Sequence, residues 1–427
     1  MSNITRTATA LVLAFVLALS LAGISYYFPS AQEKTTIFPD LVIDNSNGKI
    51  PTYTIGVQIT LPYITIRADG TVSPQNAPIK RVENHYTLTG DIFNRTLRIQ
   101  RNNIAVDGES YKIEGEPRAA QAIIIQNVNN VTIKNLEVTD FWYGLLLTNC
   151  SDVTINNNKI TNIRSRAILT SSCNGNVISD NTLDSIGTAI EDSSADSANS
   201  TITKNTITNA AQGITVQGPN SIITENNFSN IYIPIGVNGN YSTISKNNII
   251  NGINGIYLTG SFSNIIRNNL ANFSESAITI NLGTNSQIYE NSILESKYAI
   301  IIRPSVVSQK IENNIFYHNN FINNTQTIQI NSPSNKNYWE HNSEGNYWSN
   351  YSNTDNNKDG IGDSPYIIDE NNIDNFPLMT PYYVEANLQS NQTFLVYLGI
   401  IGLGIFSSII FGIKLTNRQR KNKNQQN

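Results

Sequence analysis

The stretch Ser200–Gly218, STITKNTITNAAQGITVQG, decides the fold of this chain. It alternates apolar and polar residues, passes through Asn205, and starts a second short apolar run after Gly213. Altered copies of the stretch precede and follow it through the middle of the chain. Repetition at a fixed period is the sequence signature of stacked-repeat architectures. The period therefore comes first in predicting the fold.

Two registers repeat together. An asparagine placed two residues before an apolar residue recurs every 21 to 24 residues, at Asn158, Asn181, Asn205, Asn226, Asn247, Asn268, Asn291 and Asn313. A small residue followed directly by Leu, Ile or Val recurs beside it, at Gly144, Ala167, Ala189, Gly213, Gly236, Gly255, Ala277 and Ala299. A leucine-rich repeat has a similar period, but its Leu-x-x-Leu-x-Leu pattern and helical stretch are absent.

Two short strands per repeat in so uniform a register predict a coil that returns above itself. Each strand then pairs in parallel with the same strand one coil later, which is a parallel β-helix. We expect Ile202, Ile207, Ile214 and Val216 to point inward in one coil. Asn205 and its counterparts form a ladder of side-chain amides, and Gly213 marks a tight bend. About nine to eleven coils are predicted, at ~4.8 Å per coil.

The two ends of the chain are typical of membrane segments. Ala8–Phe28 is apolar and contains Ser20-Leu21-Ala22, a small-x-small cleavage pattern, so both a cleaved signal and an uncleaved anchor fit. Phe394–Ile413 is 20 residues without a charge, enough to span a bilayer. The basic tail after it predicts a cytoplasmic end. We therefore predict a cell-membrane protein with most of its chain outside the cytoplasm.

The predicted organisation has seven segments. They are a signal peptide or N-terminal anchor (1–28), a lead-in segment or stalk (29–62), the β-helix repeats (63–330), an aromatic and Asp-rich C-terminal cap (331–385), a linker (386–393), a transmembrane helix (394–413) and a basic tail (414–427).

The charge distribution argues against nucleic-acid binding. Six of the 28 Lys and Arg residues lie in 1–28 and 414–427, which contain no Asp or Glu. The body between them therefore has 22 positive residues against 32 negative ones. An acidic body lacks the basic footprint of a nucleic-acid binder.

Cys150 and Cys173 are the only cysteines. Each follows the small residue of its coil by six positions, so they are expected to lie one above the other at ~4.8 Å. That separation lies within the Cα range of a disulfide. A Cys150–Cys173 disulfide is predicted, with two stacked free thiols as the alternative.

A polar loop near the C-terminus has the spacing of a calcium-binding loop. Asp355, Asn357, Asp359 and Asp363 place oxygen side chains at alternate positions, and the carbonyl of Ile361 adds a further ligand. An EF-hand would require Glu at 366, where the chain has Tyr366. We predict a calcium loop of another type; the alternative is a turn in which Asp and Asn cap their own amides.

Two further groups are candidates for glycan chemistry. The aromatics before the loop either form a cap over the last coil or stack on sugar rings; they are Trp339, Tyr347, Trp348 and Tyr351, with Tyr338 beside them. The carboxylates around a lengthened coil are weak catalytic candidates for a lyase or hydrolase, which needs paired acids; they are Asp180, Asp184, Glu191, Asp192 and Asp196. Solvated turn charges explain these carboxylates equally well.

The repeats NVTIKNLEV and STISKNNI, the segment YHNNFINN, and the closing motif GNYWSNY…DGIGDSPYIID…NNIDNFPLM resemble the NosD-type β-helix proteins. The resemblance covers roughly residues 63–380 and includes the wider class of carbohydrate-binding and sugar-hydrolase β-helix domains, common on archaeal surfaces. It implies an all-β, right-handed parallel β-helix (solenoid) outside the cytoplasm.

The resemblance leaves three functions open. The first is a membrane-tethered surface protein that binds glycan or another surface polymer without catalysis. The second is a polysaccharide lyase or hydrolase. The third is a copper-related maturation factor, as the family's namesake is. Copper is not expected, because its preferred His, Cys and Met ligands are few here: His85, His318, His341, Met379 and the two cysteines.

Overall fold

The computed structural model describes residues 63–383, except 117–118, 305–308 and 332–335. The described residues contain 34 strands and no helix, hence no helix that could cross a membrane. Those up to Thr380 belong to one compact unit. The predicted segments 1–28, 29–62, 386–393, 394–413 and 414–427 lie outside the described residues.

Twenty of these strands form a single sheet, called sheet A here. Its strands are β1 (Tyr63–Ile66), β2 (Val72–Ser73), β5 (Ile92–Phe93), β6 (Thr96–Ile99), β8 (Lys112–Glu114), β9 (Gln121–Gln126), β11 (Glu137–Thr139), β12 (Tyr143–Thr148), β14 (Lys159–Ser171), β16 (Thr182–Asp192), β18 (Thr206–Val216), β20 (Asn227–Ile231), β21 (Ile233–Val237), β23 (Asn248–Leu258), β25 (Asn269–Ile280), β27 (Ser292–Leu294), β28 (Tyr298–Ile302), β30 (Asn320–Ile322), β31 (Gln326–Ile330) and β32 (Tyr347–Trp348).

Twelve more strands form sheet B on another side of each coil. They are β3 (Ile79–Val82), β4 (His85–Leu88), β7 (Ile104–Asp107), β10 (Asn129–Lys134), β13 (Ser151–Asn156), β15 (Val177–Ser179), β17 (Thr201–Thr203), β19 (Ile222–Thr224), β22 (Thr243–Ser245), β24 (Asn264–Ile266), β26 (Gln287–Tyr289) and β29 (Ile315–Tyr317). A small hairpin, β33 (Tyr366–Ile367) with β34 (Ile373–Asp374), stands apart.

The strands stack as the period predicts. Ile202 of β17 lies between Ile178 and Ile223, its partners in the preceding and following coils. Pairing between coils is parallel throughout the described stack, and the antiparallel pairs are the hairpins β1–β2, β3–β4 and β33–β34. The predicted all-β parallel solenoid is confirmed, with about 10 coils.

The core is a continuous column of aliphatic side chains. Ile202, Ile207, Ile214 and Val216 are each at most 1% exposed, as predicted. Burying one such side chain contributes about 1.5–3 kcal/mol. Each coil adds several of them, so the stacked coils hold together through apolar contacts that no single coil could make alone.

The asparagine ladder is also confirmed. Asn205 donates from its backbone nitrogen (2.9 Å) and its Nδ2 (3.0 Å) to Oδ1 of Asn226, and its Nδ2 also reaches the carbonyl of Ile178 (2.9 Å). The same arrangement recurs up the stack. One member was predicted wrongly: Asn291 donates to Asn319, while Asn313 lies in a turn with φ +65°.

The small-residue register needs one correction as well. Ile214 pairs with Ile235, so the counterpart of Gly213 is Pro234, and Gly236 lies beside Thr215 instead. A Cβ on Gly213 would come within 2.2 Å of the carbonyl oxygen of Pro234. The bend predicted at Gly213 is thus a close approach of two backbones. Gly236 has no such contact.

The stack does not stop at residue 330. Tyr347 and Trp348 of β32 pair in parallel with Asn320 and Phe321 of β30. Further on, Asn346 accepts from Asn319 and continues the ladder. The region predicted as a cap therefore begins with residues that extend the solenoid.

Candidate functional site

A shallow polar groove lies on the outer face of sheet A near its first coils. It encloses about 260 Å³ and is lined by Lys112, Glu114, Glu137, Val138, Thr139, Asp140, Lys159 and Thr161. The parallel register creates it, because Glu137 lies between Lys112 and Lys159 and Thr139 lies between Glu114 and Thr161. Outward side chains of three consecutive coils therefore meet in one place.

The groove alternates in charge. Lys159 Nζ is 3.7 Å from Glu137 Oε1, and both side chains are partly exposed. Thr139 donates its hydroxyl to Asp140 Oδ2 at 2.8 Å. Lys112 is exposed. The groove thus offers carboxylate acceptors and ammonium donors side by side, a set that suits a ligand rich in hydroxyl groups.

A polar column continues from the groove along the same face. Its members are Thr182, Thr206, Asn227, Asn248, Asn269, Ser292 and Asn320, one in each coil. Nδ2 of Asn269 donates to Asn248 Oδ1, and Nδ2 of Asn248 donates to Asn227 Oδ1, both at 2.8 Å. The outer face of sheet A therefore presents hydrogen-bonding groups at each coil up to Ser292, whereas Asn320 is buried.

The carboxylates proposed from the sequence do not form one site. Asp184 lies beside Thr161, adjoining the groove; hydrogen bonds from Thr208, and then from Asn209, lower its pKa. Glu191 is seven residues further along β16, beyond a bend at Ser185 (φ +58°). It pairs with Arg166, Nε to Oε2 at 2.7 Å.

Asp180 and Asp196 are exposed residues of two different turns. Asp180 accepts from Asn156 at 3.1 Å and has φ +55°. Asp196 donates its backbone nitrogen to the hydroxyl of Ser194 at 3.2 Å. Both fit the alternative of solvated turn charges.

Asp192 faces the core rather than the solvent. It lies between Thr170 and Val216 in the inward column of sheet A and is 2% exposed. Neither of its carboxylate oxygens has a hydrogen-bond partner. Burial raises the pKa of Asp192, and the nearby hydroxyl of Ser197 offsets this only in part. A polymer outside the solenoid cannot reach this carboxyl group, so its proposed catalytic role is wrong.

The loop at 355–363 is closed by its own hydrogen bonds. Asp355 accepts from the amides of Asp359 (3.2 Å) and Gly360 (3.0 Å). Asp363 accepts from the amide of Asn356 at 2.9 Å, and Asp359 accepts from that of Ile361 at 2.9 Å. These are the capping bonds of the turn interpretation, and calcium binding by this loop stays a prediction.

The cysteines lie on adjacent coils in equivalent positions, as the spacing predicts. Both are buried free thiols in the structure, and the Cys150–Cys173 disulfide stays a prediction. The neighbouring Cys173 thiol lowers the pKa of Cys150 to about 7, and the neighbouring Cys150 raises the pKa of Cys173. Cys150 is thus the first of the pair to ionise.

The aromatic candidates divide by burial. Trp339 and Trp348 are both fully buried. Trp339 stacks on Phe316 with ring centroids 4.2 Å apart, and Trp348 stacks between Phe321 (4.5 Å) and Tyr366 (4.1 Å). Each tryptophan stacks on the residue one coil earlier and continues the inward column of the solenoid, so neither ring is available to a sugar, and sugar stacking by them is wrong.

Tyr347 and Tyr351 are partly buried. Tyr351 packs against the core and donates its hydroxyl to the carbonyl of Ser364. Tyr351 is therefore held against the core, whereas sugar stacking by Tyr347 stays a prediction.

Two features of the surface were missed in the sequence. The groove could have been found by aligning Lys112, Glu137 and Lys159 as counterparts in successive repeats. The exposed pair Tyr241 and Phe262 was also missed, although the two residues are 21 positions apart, one coil of the ladder.

The winding, the internal ladder and the polar outer face define a parallel β-helix protein with a long face of hydrogen-bonding side chains. The chain belongs to the NosD family, whose description is "Periplasmic copper-binding protein (NosD)". The family model matches residues 82–251 and 193–353, which together are more than half of the chain. No curated protein shows a significant sequence match.

Several solved structures resemble the chain in part. One is a hyperthermoactive exopolygalacturonase from Thermotoga maritima, with 11% identity over 57% of this chain and 79% of that one, at a TM-score of 0.46. Another is the catalytic domain of a GH87 α-1,3-glucanase, with 15% identity over 62% of this chain and 63% of that one, at 0.42.

A third is the A-module of the mannuronan C-5 epimerase AlgE6 from Azotobacter vinelandii, with 11% identity over 60% of this chain and 87% of that one, at a TM-score of 0.37. Likeness at this level carries no information about activity.

The family description names copper, and the possible copper ligands of this chain include His318 and His341. His318 Nε2 lies 2.6 Å from Glu344 Oε2, and the His341 ring packs against Tyr317 at 5.0 Å between centroids. Among the described residues, no three side chains of His, Cys, Asp or Glu converge where they could hold a metal ion.

Proposed function

We propose that this chain is a membrane-tethered, extracytoplasmic β-helix protein that binds a glycan or a similar hydroxyl-rich surface polymer without cleaving it. The outer face of sheet A is the observation that carries the proposal. It combines the charged groove at Lys112–Thr161 with the polar column that continues through Asn227, Asn248 and Asn269.

The chemistry of this face suits sugar hydroxyls, which both donate and accept. Glu114 and Glu137 supply acceptors, Lys112 and Lys159 supply donors, and the amides of the column supply both. The column repeats at about 4.8 Å per coil. A polymer lying along the stack would therefore meet equivalent groups at regular intervals, and many weak contacts would add up.

Binding is favoured over cleavage because the proposed acids do not form a working pair. A glycosidase needs two carboxyl groups about 5–10 Å apart, flanking the scissile bond. Asp192 faces the core, and Glu191 is held by Arg166 beyond the bend. In the alternative function, a lyase or hydrolase, the acids that would act are Glu114 and Glu137 of the groove.

The membrane part of the proposal depends on sequence alone. Phe394–Ile413 would anchor the chain, and the basic tail after it would stay in the cytoplasm. The body would then face the polymers of the cell surface.

The test is native affinity electrophoresis of the full chain, purified in detergent, through gels containing neutral or acidic polysaccharides. The unmodified chain is expected to be retarded by at least one neutral polysaccharide. The double variant Glu137→Gln with Lys159→Met should bind it about tenfold more weakly, a loss of about 1.4 kcal/mol. The matched control is Glu225→Gln with Lys246→Met, an exposed pair 4.0 Å apart on a turn.

Each outcome is decisive. Retardation by no polysaccharide in the panel contradicts the proposal. New reducing ends or unsaturated products in the incubated polysaccharide replace it with the hydrolase or lyase alternative. An equal loss in the control pair shows that the retardation does not involve the groove.

A further inference from the structure

Two exposed aromatic rings lie on the turn that leads into sheet B. Tyr241 is 58% exposed and Phe262 is 47% exposed. They belong to adjacent coils, and their rings are nearly parallel, with centroids 5.1 Å apart and planes 13° from each other. The two rings thus form a short aromatic stack outside the solenoid, away from the aromatic cap.

The backbone at both residues is left-handed, with φ +59° at Tyr241 and +56° at Phe262. The same turn position in the other coils is occupied by small or polar residues, namely Asn103, Asn130, Asp152, Gly175, Asn199, Asn220, Asn285 and Asn313. Tyr241 and Phe262 are the only Phe, Tyr or Trp residues with positive φ among those that the structure describes.

Left-handed backbone is unfavourable for a bulky residue by roughly 1–2 kcal/mol, whereas Gly and Asn adopt it readily. The rings do not offset this strain by burial, since about half of each remains exposed. A strained, exposed aromatic residue in a column of asparagines is not what stability alone would select.

The turn holds the rings in place through the main chain. Tyr241 donates its backbone nitrogen to the carbonyl of Ser261, and Phe262 donates to that of Thr284, both at 3.0 Å. Oδ1 of Asn240 accepts from the backbone nitrogen of Ser261 at 2.8 Å. The platform is therefore ordered before any ligand arrives, which lowers the entropy loss on binding.

We infer that Tyr241 and Phe262 form a sugar-stacking platform, in which the flat C–H face of a hexopyranose ring of the bound glycan packs against the aromatic stack. The inference rests on the proposed function and adds a second contact region to it. Aromatic side chains combine a large apolar face with fixed geometry. Asn220 and Asn285 in the neighbouring coils place amides beside the rings, within the same column, for the sugar hydroxyls.

The test is the double variant Tyr241→Asn with Phe262→Asn, made in a host without N-glycosylation. Asparagine is the residue that the neighbouring coils have here, so the variant is expected to fold. The control is Tyr232→Asn, an aromatic residue 55% exposed outside this turn. Binding to the polysaccharide that retards the unmodified chain is measured by affinity electrophoresis, and folding by thermal melting.

The double variant is expected to bind at least tenfold more weakly, with an unchanged or higher melting temperature, while the control binds normally. Undiminished binding by the double variant overturns the platform. If the groove variant, Glu137→Gln with Lys159→Met, still loses binding, the proposed function nevertheless stands. Undiminished binding together with a lower melting temperature makes the pair a structural contact only. An equal loss in the Tyr232 control also overturns the platform, and no binding by the unmodified chain overturns both proposals.

Discussion

The carboxylate of Asp374 closes the asparagine ladder at its C-terminal end. Its Oδ2 accepts the backbone nitrogen of Asn346 and the indole Nε1 of Trp348, each at 2.8 Å. Oδ1 accepts the backbone nitrogen of Phe376 at 3.1 Å. A ladder in which every asparagine donates to the next needs a final acceptor, and Asp374 provides it while fully buried.

The stability of the protein is expected to fall as the pH rises from about 4 to about 6. Burial raises the pKa of Asp374 from 3.8 to about 6, against the hydrogen bond from Trp348. The folded state therefore binds this proton more tightly than the unfolded state. The contribution is complete below pH 4 and lost above pH 6, and it amounts to about 3 kcal/mol.

Asp374→Asn tests this prediction, since asparagine keeps an acceptor for Asn346 and Trp348 and has no charge to titrate. Melting temperatures between pH 4 and pH 7 should show a clearly smaller pH dependence in the variant. Some dependence of the same sign remains, because burial also raises the pKa of Asp192. A pH dependence identical to that of the unmodified protein would contradict the assignment to Asp374.

Asn247→Ala should destabilise the protein by about 3 kcal/mol in the free energy of unfolding. The substitution removes the acceptor of the Asn226 backbone nitrogen and the donor to the carbonyl of Ile223. Its neighbour Asn248 makes exposed contacts on the outer face, so Asn248→Ala should change stability by less than about 1 kcal/mol. Chemical denaturation of both variants measures the difference, and equal effects would mean that the ladder has no special role.

The corrected register predicts opposite outcomes for two glycines. Gly213→Ala brings a Cβ to 2.2 Å from the Pro234 carbonyl oxygen, so the coil must shift, at a cost of about 2 kcal/mol or more. In Gly236→Ala the new Cβ comes no closer than 3.5 Å to Thr215 Oγ1, which is ordinary contact. Thermal melting should therefore separate the two variants. If Gly236→Ala proves the more harmful, the register in this part of the structure is wrong.

Oxidation should link Cys150 to Cys173. The Cys150 thiolate attacks oxidised glutathione and releases one reduced glutathione, and the Cys173 thiolate then displaces the second. A bond closing a loop of this length stabilises by about 3 kcal/mol. Mass spectrometry should show the loss of two hydrogens, and melting should occur at a higher temperature. Cys173→Ser serves as the control, since Ser197 occupies the same position one coil later; two free thiols persisting after oxidation would disprove the disulfide.

The loop at 355–363 is expected to bind calcium. Asp355, Asp359 and Asp363 would exchange hydrogen bonds to their own amides for the cation. Added calcium should then raise the melting temperature of the protein, and Asp359→Ala should abolish the effect. Asp69→Ala is the control, since Asp69 accepts from Thr71 in a similar exposed turn far from the loop. If calcium changes neither melting nor heat in a calorimetric titration, the loop is only a turn.

Much of the fold could be predicted from the sequence because stacking repeats the same environment once per coil. A residue that recurs at the coil period meets its own counterpart above and below. This physical constraint appears in the amino-acid sequence as a fixed repeat period. From that period the positions of Ile202, Ile207 and Asn205 were predicted correctly.

The same reasoning failed wherever coils differ in length or shape. Gly236 was aligned two residues out of register, because Pro234 occupies the small-residue position in that coil. Asn313 was aligned in place of Asn319, because the coil from Asn291 to Asn319 has 28 residues, whereas the preceding repeats have 21 to 24. A period cannot reveal which residues an irregular coil displaces.

The sequence by itself determined the winding, the inward column, most of the ladder and the stacked cysteines, since these depend on local alternation and on translation from coil to coil. Only the tertiary structure decided what faces solvent. It turned Asp192 inward, buried Trp339 and Trp348 in the inward column, and left Tyr241 and Phe262 exposed. The direction of a side chain near a bend depends on how adjacent coils pack, and that packing has no signature in a single repeat.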